Sequence, residues 1–299
     1  MRSILAWVIV LYALPLASSQ PGFAQSDNQA PDAGKVLIES FVISGTRAVD
    51  SAELAEITES MSGLTFNDDS EELQERIRNQ FQDHGYFKAE VEKLDIKVID
   101  ALASPKPVRM EAQVSEGGRY RLSTIDFTGN HALSSQELRA DFSIKTGDVF
   151  TRSKIAAGLE GMRRLVISRG FLDFTAIPNT NFDSASTVNL NIEVREGCQY
   201  RMDKLEITGP PEVADKFQTR WELEPGAVFD ASYVRTFLEK NSSLVPADFV
   251  EQTGVKLLKD CNSSTVSVHI HLTQDPQHAA LDRTKQVACP ASEENKKSN

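Results

Sequence analysis

His269 and His271 stand two residues apart in the alternating run Val266–Leu272, so both imidazoles fall on one side of a strand. Two imidazoles sharing a face are the start of a zinc-type site, which needs at least a third protein ligand. None is evident, and the matching positions of an upstream copy of the same pattern are Asn191 and Glu193. The pair reads as a solvated face, and neither a metal nor a cofactor is assigned. Cys198, Cys261 and Cys289 are the three cysteines, and none is spaced as a zinc site. The sequence has no GxSxG, no HExxH, no phosphate loop and no paired-cysteine motif, so no catalytic residues are assigned and an enzyme is not expected. A net charge of −11 repels phosphate backbones, which argues against nucleic acid as a partner. The basic trio Arg163, Arg164 and Arg169 lies on a predicted helix and reads as a solvated face.

What must position these groups is a repeat. The pentapeptide GDVFT at Gly147–Thr151 has relatives in GLTFN at Gly63–Asn67 and GAVFD at Gly226–Asp230, with the glycines 84 and 79 residues apart. An apolar alternating run ends in glycine at nearly the same step, at Gly45, Gly129 and Gly209. Two markers in one order, three times, indicate a supersecondary unit of about 80 residues present in three copies.

Residues 1–24 read as a secretory signal peptide, with Arg2 in the charged region, the apolar run Ile4–Leu16, and Gly22-Phe23-Ala24 before the cleavage point. The run is shorter than the ~20 apolar residues of a spanning helix. Residues 25–34 read as a disordered linker. The repeats then occupy 35–115, 116–196 and 197–274, the last degenerate, and 275–299 reads as a disordered tail.

Within the middle copy, Tyr120–Thr128 alternates as a strand. Ser134 and Glu137 form a capping box, with Leu133 and Leu138 as the hydrophobic staple. Asp50, Glu53, Val49 and Leu54 repeat that device in the first copy. Thr151 is expected to cap the second helix, with Asn67 and Asp230 at the same place in the other copies. Gly85 and Gly170 close the second helices, each followed by an aromatic residue. A hairpin ends each unit, its last strand apolar on one side and polar on the other. The order is strand–helix–helix–strand–strand, and the joints EGGRY (Glu116–Tyr120) and EGCQY (Glu196–Tyr200) run straight into the next copy.

These features resemble POTRA domains, the polypeptide-transport-associated repeats of BamA, TamA and two-partner-secretion transporters. The resemblance rests on IDFTGNHALSSQEL, IKTGDVFT, RGF at Arg169–Phe171, and EVREG running into YRMDKLEITG. It spans about Lys35 to Gln274. The third copy departs, lacking the Gly–aromatic pair. It implies an α+β fold of three tandem βααββ units, each a three-stranded mixed sheet with two helices on one face and the final strand central. In that family the repeats usually precede a membrane β-barrel. The 25 residues after Gln274 are too few for one, so the barrel is expected on a separate chain.

The resemblance therefore implies a periplasmic module, peripheral to the outer membrane only through a partner. It would act in outer-membrane protein assembly or secretion, with an outer-membrane β-barrel protein, its unfolded precursor or associated periplasmic subunits as partners. An envelope scaffold outside that pathway, resembling division proteins, and the N-terminal part of a longer transporter are the alternatives. The middle strand of each unit lies at a sheet edge, where an extended partner can add by β-augmentation. In the first copy the partner-binding edge is assigned to Phe87, Ala89, Val91, Leu94, Ile96 and Val98, with a bulge near Glu92-Lys93 where the apolar phase slips. In the second copy Pro178 removes a ladder donor. Cys198 precedes the first strand of the third copy and Cys261 lies in its last turn, at the same end of the unit. A Cys198–Cys261 disulfide with Cys289 free is expected, the alternative being Cys289 paired with either one.

Overall fold

A computed structural model describes residues 35–272 apart from 68, 184, 185 and 248. The signal peptide, the linker, the C-terminal tail and Cys289 lie outside the described residues. Among the described residues no helix is long and apolar enough to cross a membrane.

The first repeat runs β1 (Lys35–Ser44), α1 (Ser51–Met61), β2 (Thr65–Asn67), α2 (Ser70–Asp83), β3 (Glu90–Val98) and β4 (Lys106–Ser115). The second runs β5 (Arg121–Thr128), α3 (Ser135–Ala140), α4 (Arg152–Ser168), β6 (Thr175–Phe182) and β7 (Thr187–Arg195). The third runs β8 (Arg201–Thr208), α5 (Pro211–Arg220), α6 (Ala231–Lys240), the 3-10 turn Ser242–Leu244, α7 (Glu251–Gly254), β9 (Val255–Asp260) and β10 (Thr265–His271). The sheet orders are β2-β1-β4-β3, β5-β7-β6 and β8-β10-β9, so the last strand of each repeat is central and its hairpin partner is an edge. In the first and third sheets the first strand pairs parallel to the last, which pairs antiparallel to its hairpin partner. Packing divides the chain into two compact units. One holds the described residues up to Asp126 with Phe142–Ala157 and Pro178–Asn191, and the other holds Phe127–Asp141, Gly158–Ile177 and the described residues from Ile192.

In the first repeat Ile57 and Met61 of α1 and Leu73, Ile77 and Phe81 of α2 cover Val36, Ile38, Phe41, Val108, Met110, Ala112 and Val114. The other face of β4 alternates to solvent, which is the pattern of a sheet covered on one side. The third repeat builds the same layer from Phe217, Val234, Phe237 and Leu238 over Met202, Val266, Val268 and Ile270.

The first sheet has four strands where three were expected, because the GLTFN segment itself pairs with β1. The amide of Gly63 donates to the Ile38 carbonyl at 2.8 Å, and Ile38 donates back to Leu64 at 3.0 Å. Gly147 and Gly226 repeat this with Leu122 and Met202, and their segments form single bridges, Arg121 with Val149 and Arg201 with Val228. The three glycines have φ of +76°, +88° and +84°, and nothing lies within 4 Å of where a Cβ would sit. It is left-handed backbone, not crowding, that calls for glycine there. Phe66, Phe150 and Phe229 then drop into the cores.

Ser134 and Glu137 close a full capping box. Asp50 caps α1 through the amides of Ala52 and Glu53, but Glu53 does not bond back to the cap, being drawn to Tyr86 and Arg119. Asp230 caps α6. The other two expected caps are displaced. Asn67 ends β2, and Asp69 caps α2 instead. The Thr151 hydroxyl is buried without a hydrogen-bond partner among the described residues, and Asp83 of the preceding repeat caps α4 by accepting from the Ser153 amide at 2.6 Å.

Two buried carboxylates hold the turn after the first strand. Glu116 accepts from the amides of Arg47 and Ala48 at 2.7 and 2.5 Å. Glu196 accepts from His131, Ala132 and Leu133 at 2.9–3.2 Å. Burial pushes the Glu116 carboxyl up, but the two amides donating to it prevail and hold it below its ordinary value.

Candidate functional site

The expected edge is formed. Among the described residues β3 pairs only with β4, and the register slips between Val91 and Lys93, placing the bulge at Glu92. The Ile99 amide donates to Pro107 at 2.8 Å. Counting back in an antiparallel ladder, the amides of Lys97, Asp95 and Lys93 face β4, and those of Val98, Ile96 and Leu94 face outward. The side chains behave differently from the backbone. Val91, Leu94 and Ile96 pack onto the core, Ala89 is buried, and Val98 is 51% exposed. What the middle of this edge presents is backbone donors and acceptors, flanked by exposed Lys93 and Lys97. A cleft of about 560 Å³ lies on the far side of the same repeat, between β1 and α1, lined by Phe41, Val42, Ile43, Leu54 and Thr58 among others.

Phe87 is not on the edge strand. It sits before β3 and points into the joint with the second repeat, its ring 4.6 Å from Phe150 and 6.1 Å from Phe182. Tyr120 packs against Phe182 at 4.6 Å, and Lys88 lies over both rings at 5.3 and 5.4 Å. The frame of the joint is backbone: the Tyr120 amide donates to the Gly85 carbonyl at 2.9 Å. Gly85, at φ +92°, ends α2, and a Cβ there would meet Val149 at 2.6 Å. Arg119 pairs with Glu53 at 2.7 Å, and Glu53 also accepts from the Tyr86 hydroxyl. Burial, then the Glu53 charge, raise the Tyr86 hydroxyl above its ordinary value.

The second joint has the same frame. The Tyr200 amide donates to Gly170 at 2.8 Å, and Gly170 has φ +86° with the Tyr200 carbonyl 2.7 Å from any added Cβ. Leu172 stands where Phe87 does and packs against the third core. Asp173 then accepts from the Tyr200 hydroxyl at 2.6 Å and pairs with Lys259. Burial opposes ionisation of Asp173, but Lys259 and Tyr200 outweigh it and hold the carboxyl below its ordinary value. Tyr200 is raised by burial and by Asp173.

The expected Cys198–Cys261 bridge is not formed. Cys198 is free and exposed, while Cys261 is in a disulfide and its sulfur lies 3.8 Å from the Tyr200 hydroxyl. Sequence position puts both cysteines at one end of the repeat, but the EGCQY turn leaves Cys198 facing solvent. The histidine pair is less solvated than expected. His269 has an 18% exposed side chain and lies 3.1 Å from Glu206, and His271 shares a hydrogen bond with Thr208 at 2.7 Å. No cluster of three metal-binding side chains occurs among the described residues. The basic trio is paired internally, Arg163 and Arg164 with Glu160 and Arg169 with Glu137. Glu116 and Glu196 were visible only as joint residues, although the recurrence of Glu-Gly before both joints was the available signal.

The family model described as "Surface antigen variable number repeat", POTRA, matches residues 36–117 and 120–197. A Treponema pallidum (strain Nichols) protein named as an outer membrane protein assembly factor is 26% identical over 160 residues, covering 52% of this chain and 19% of that protein. The outer membrane protein assembly factor BamA of Neisseria meningitidis serogroup B is 22% identical over 181 residues, covering 55% of this chain and 23% of its own length. The chain thus spans about a fifth of the length of these relatives. The crystal structure of POTRA domains 3–5 of Haemophilus influenzae BamA superposes with a TM-score of 0.59 at 22% identity, covering 79% of this chain and 96% of that one. That likeness concerns the fold.

Proposed function

The chain belongs to the POTRA family, and on that premise we propose that it is a non-catalytic binding module of the bacterial periplasm, serving outer-membrane protein assembly or secretion. It engages unfolded β-barrel precursors or a separate barrel partner by adding an extended segment to the edge of β3. The observation that carries this reading is the row of outward amides at Leu94, Ile96 and Val98 on a strand that has no second neighbour in its sheet among the described residues. Main-chain hydrogen bonds along such an edge capture many sequences alike, which suits an unfolded client. The names of the relatives support the pathway, and the family's usual setting supports the compartment.

The test uses the full chain and, as probe, an unfolded outer-membrane barrel protein diluted from urea. Ile96→Pro deletes an outward donor and Ile96→Ala keeps it, while both lose the same packing. The proline variant is expected to lose capture about 10-fold more than the alanine variant, because a lost main-chain pair in a dry interface costs on the order of 1–2 kcal/mol. Equal capture by both, with circular dichroism unchanged, would reject the edge.

A further inference from the structure

The two joints show which positions of a repeat receive the one before it. Register makes Val36, Tyr120 and Tyr200 equivalent, since each precedes by two the residue that pairs with the glycine turn. Thr65, Val149 and Val228 are equivalent as partners of the next residue, Leu37, Arg121 or Arg201. At the hairpin, Ile99 donates to Pro107 as Asp183 donates to Thr187 and as Asp260 pairs with Thr265. That makes Val98, Phe182 and Lys259 equivalent.

In the second repeat this row is filled. Gly85 abuts Val149, and Phe87 enters beside Phe150 and Phe182. In the third it is filled again, with Gly170 against Val228 and Asp173 on Lys259 and Tyr200. In the first repeat the same end is open among the described residues. Val98 and Ile99 are each 51% exposed, Leu102 at the hairpin tip is 96% exposed, and Leu64 beside Thr65 is 41% exposed. These are four of the six large apolar side chains exposed in the described residues; Val98 stands at a position that makes the joint in the other repeats, and the other three flank such positions or lie at the adjoining hairpin tip.

We propose that this end of the first repeat is a socket for another POTRA-bearing chain. Its occupant is a helix that ends in a left-handed glycine and carries an apolar plug two residues on, as Gly85–Phe87 and Gly170–Leu172 do. The socket's chemistry selects the plug. Val98 stands where the first joint has Phe182 and the second has Lys259, so an apolar plug meets an apolar wall there, and the residue after the plug has no cation to pair with as Asp173 pairs with Lys259. Among the described residues, a second copy of this chain offers no free corner of that kind at its other end. There α6 ends at Asn241 with φ −109°, its amide group tied to Phe237, and a 3-10 turn follows. The inference rests on the reading of the chain as a POTRA binding module but concerns a surface distinct from the middle of the β3 edge.

A photoreactive p-benzoylphenylalanine replacing Leu64 in the full chain, in cells of the native host, tests it. The expected adduct joins a different protein and maps by mass spectrometry to a glycine-terminated helix end of a POTRA repeat. Val98→Asp should reduce that adduct at least 10-fold with the fold unchanged. No adduct, an adduct to a second copy, to lipid or to a barrel strand, or one that persists in Val98→Asp, would overturn the proposal. A parallel probe at Lys93 separates the two readings: adducts from Lys93 without adducts from Leu64 would sink the socket and leave the edge standing.

Discussion

In the first joint Tyr120 donates its amide to Gly85, and in the second Tyr200 does the same to Gly170, yet the space beyond that shared frame is filled differently. Phe87, Phe150, Phe182 and Tyr120 make the first joint aromatic, and Asp83 crosses it to cap α4. In the second joint Leu172 keeps an apolar plug, but the aromatic cluster is replaced by Asp173 holding Tyr200 and Lys259, and the position of Asp83 is taken by Ser168, whose hydroxyl turns back to Leu165. The lesson is that the repeat conserves backbone geometry through a left-handed glycine and leaves the filling free to vary. Apolar burial is insensitive to pH and salt, whereas a half-exposed ion pair is sensitive to both.

The largest expected effects come from the glycines. Gly170→Ala combines a left-handed backbone penalty with a clash against the Tyr200 carbonyl, which cannot rotate away. Gly85→Ala meets first a Val149 methyl, which has more room to give. Losses of about 4 and about 2 kcal/mol follow from the usual costs of left-handed alanine and of overpacking, measurable by urea unfolding. A reversed order would mean the two frames are not equivalent.

The linker carboxylates come next. Glu196 takes three amides and Glu116 two. Alanine at Glu196 should cost about 3 kcal/mol and at Glu116 about 2, in line with charged hydrogen bonds lost from buried sites. Equal costs would show that the third amide contributes nothing.

Asp83→Ala removes a helix cap supplied across the first joint and should cost about 1 kcal/mol. Its signature is local: amide exchange at Ser153 should accelerate while the interior of α2 stays protected. Asp230→Ala should cost the same but leave both joints unaffected, since that cap lies within its own repeat.

The smallest effect is the acid response of the second joint. Asp173 is held below its ordinary value of 3.8 in the folded chain. A carboxyl lowered by folding contributes stability that is fully present above the unfolded value and drains away as pH falls through the folded one. Exchange protection at Tyr200 should therefore fall below about pH 4, and Asp173→Asn should flatten that limb, with a cost at neutral pH under about 1 kcal/mol because the pair is part-exposed. An identical acid limb in Asp173→Asn would assign it to other carboxyls.

Much of this was legible in the sequence. Periodicity gave the strands, and the Ser134–Glu137 spacing gave a capping box that the structure closes. The phase slip after Val91 located the bulge. Three things were not legible, each because it depends on contacts between segments far apart in the chain. Glu53 has the spacing of a box residue but is captured by Arg119 and Tyr86. Thr151 has the type of a cap but is replaced by Asp83 from the preceding repeat. Phe87 carries the alternation of the edge strand but turns into the joint, because a bulky ring fills the gap beside Phe150. The cysteine pairing failed for a related reason, since position along the chain does not fix which way a turn presents its thiol.

In-cell photo-crosslinking from Lys93, on the exposed side of the β3 edge, tests the central claim most directly. The account predicts adducts to outer-membrane barrel proteins, mapping to extended segments of their unfolded chains and lost in Ile96→Pro but kept in Ile96→Ala. Adducts confined to proteins outside barrel assembly, or the same barrel adducts in both variants, would contradict it.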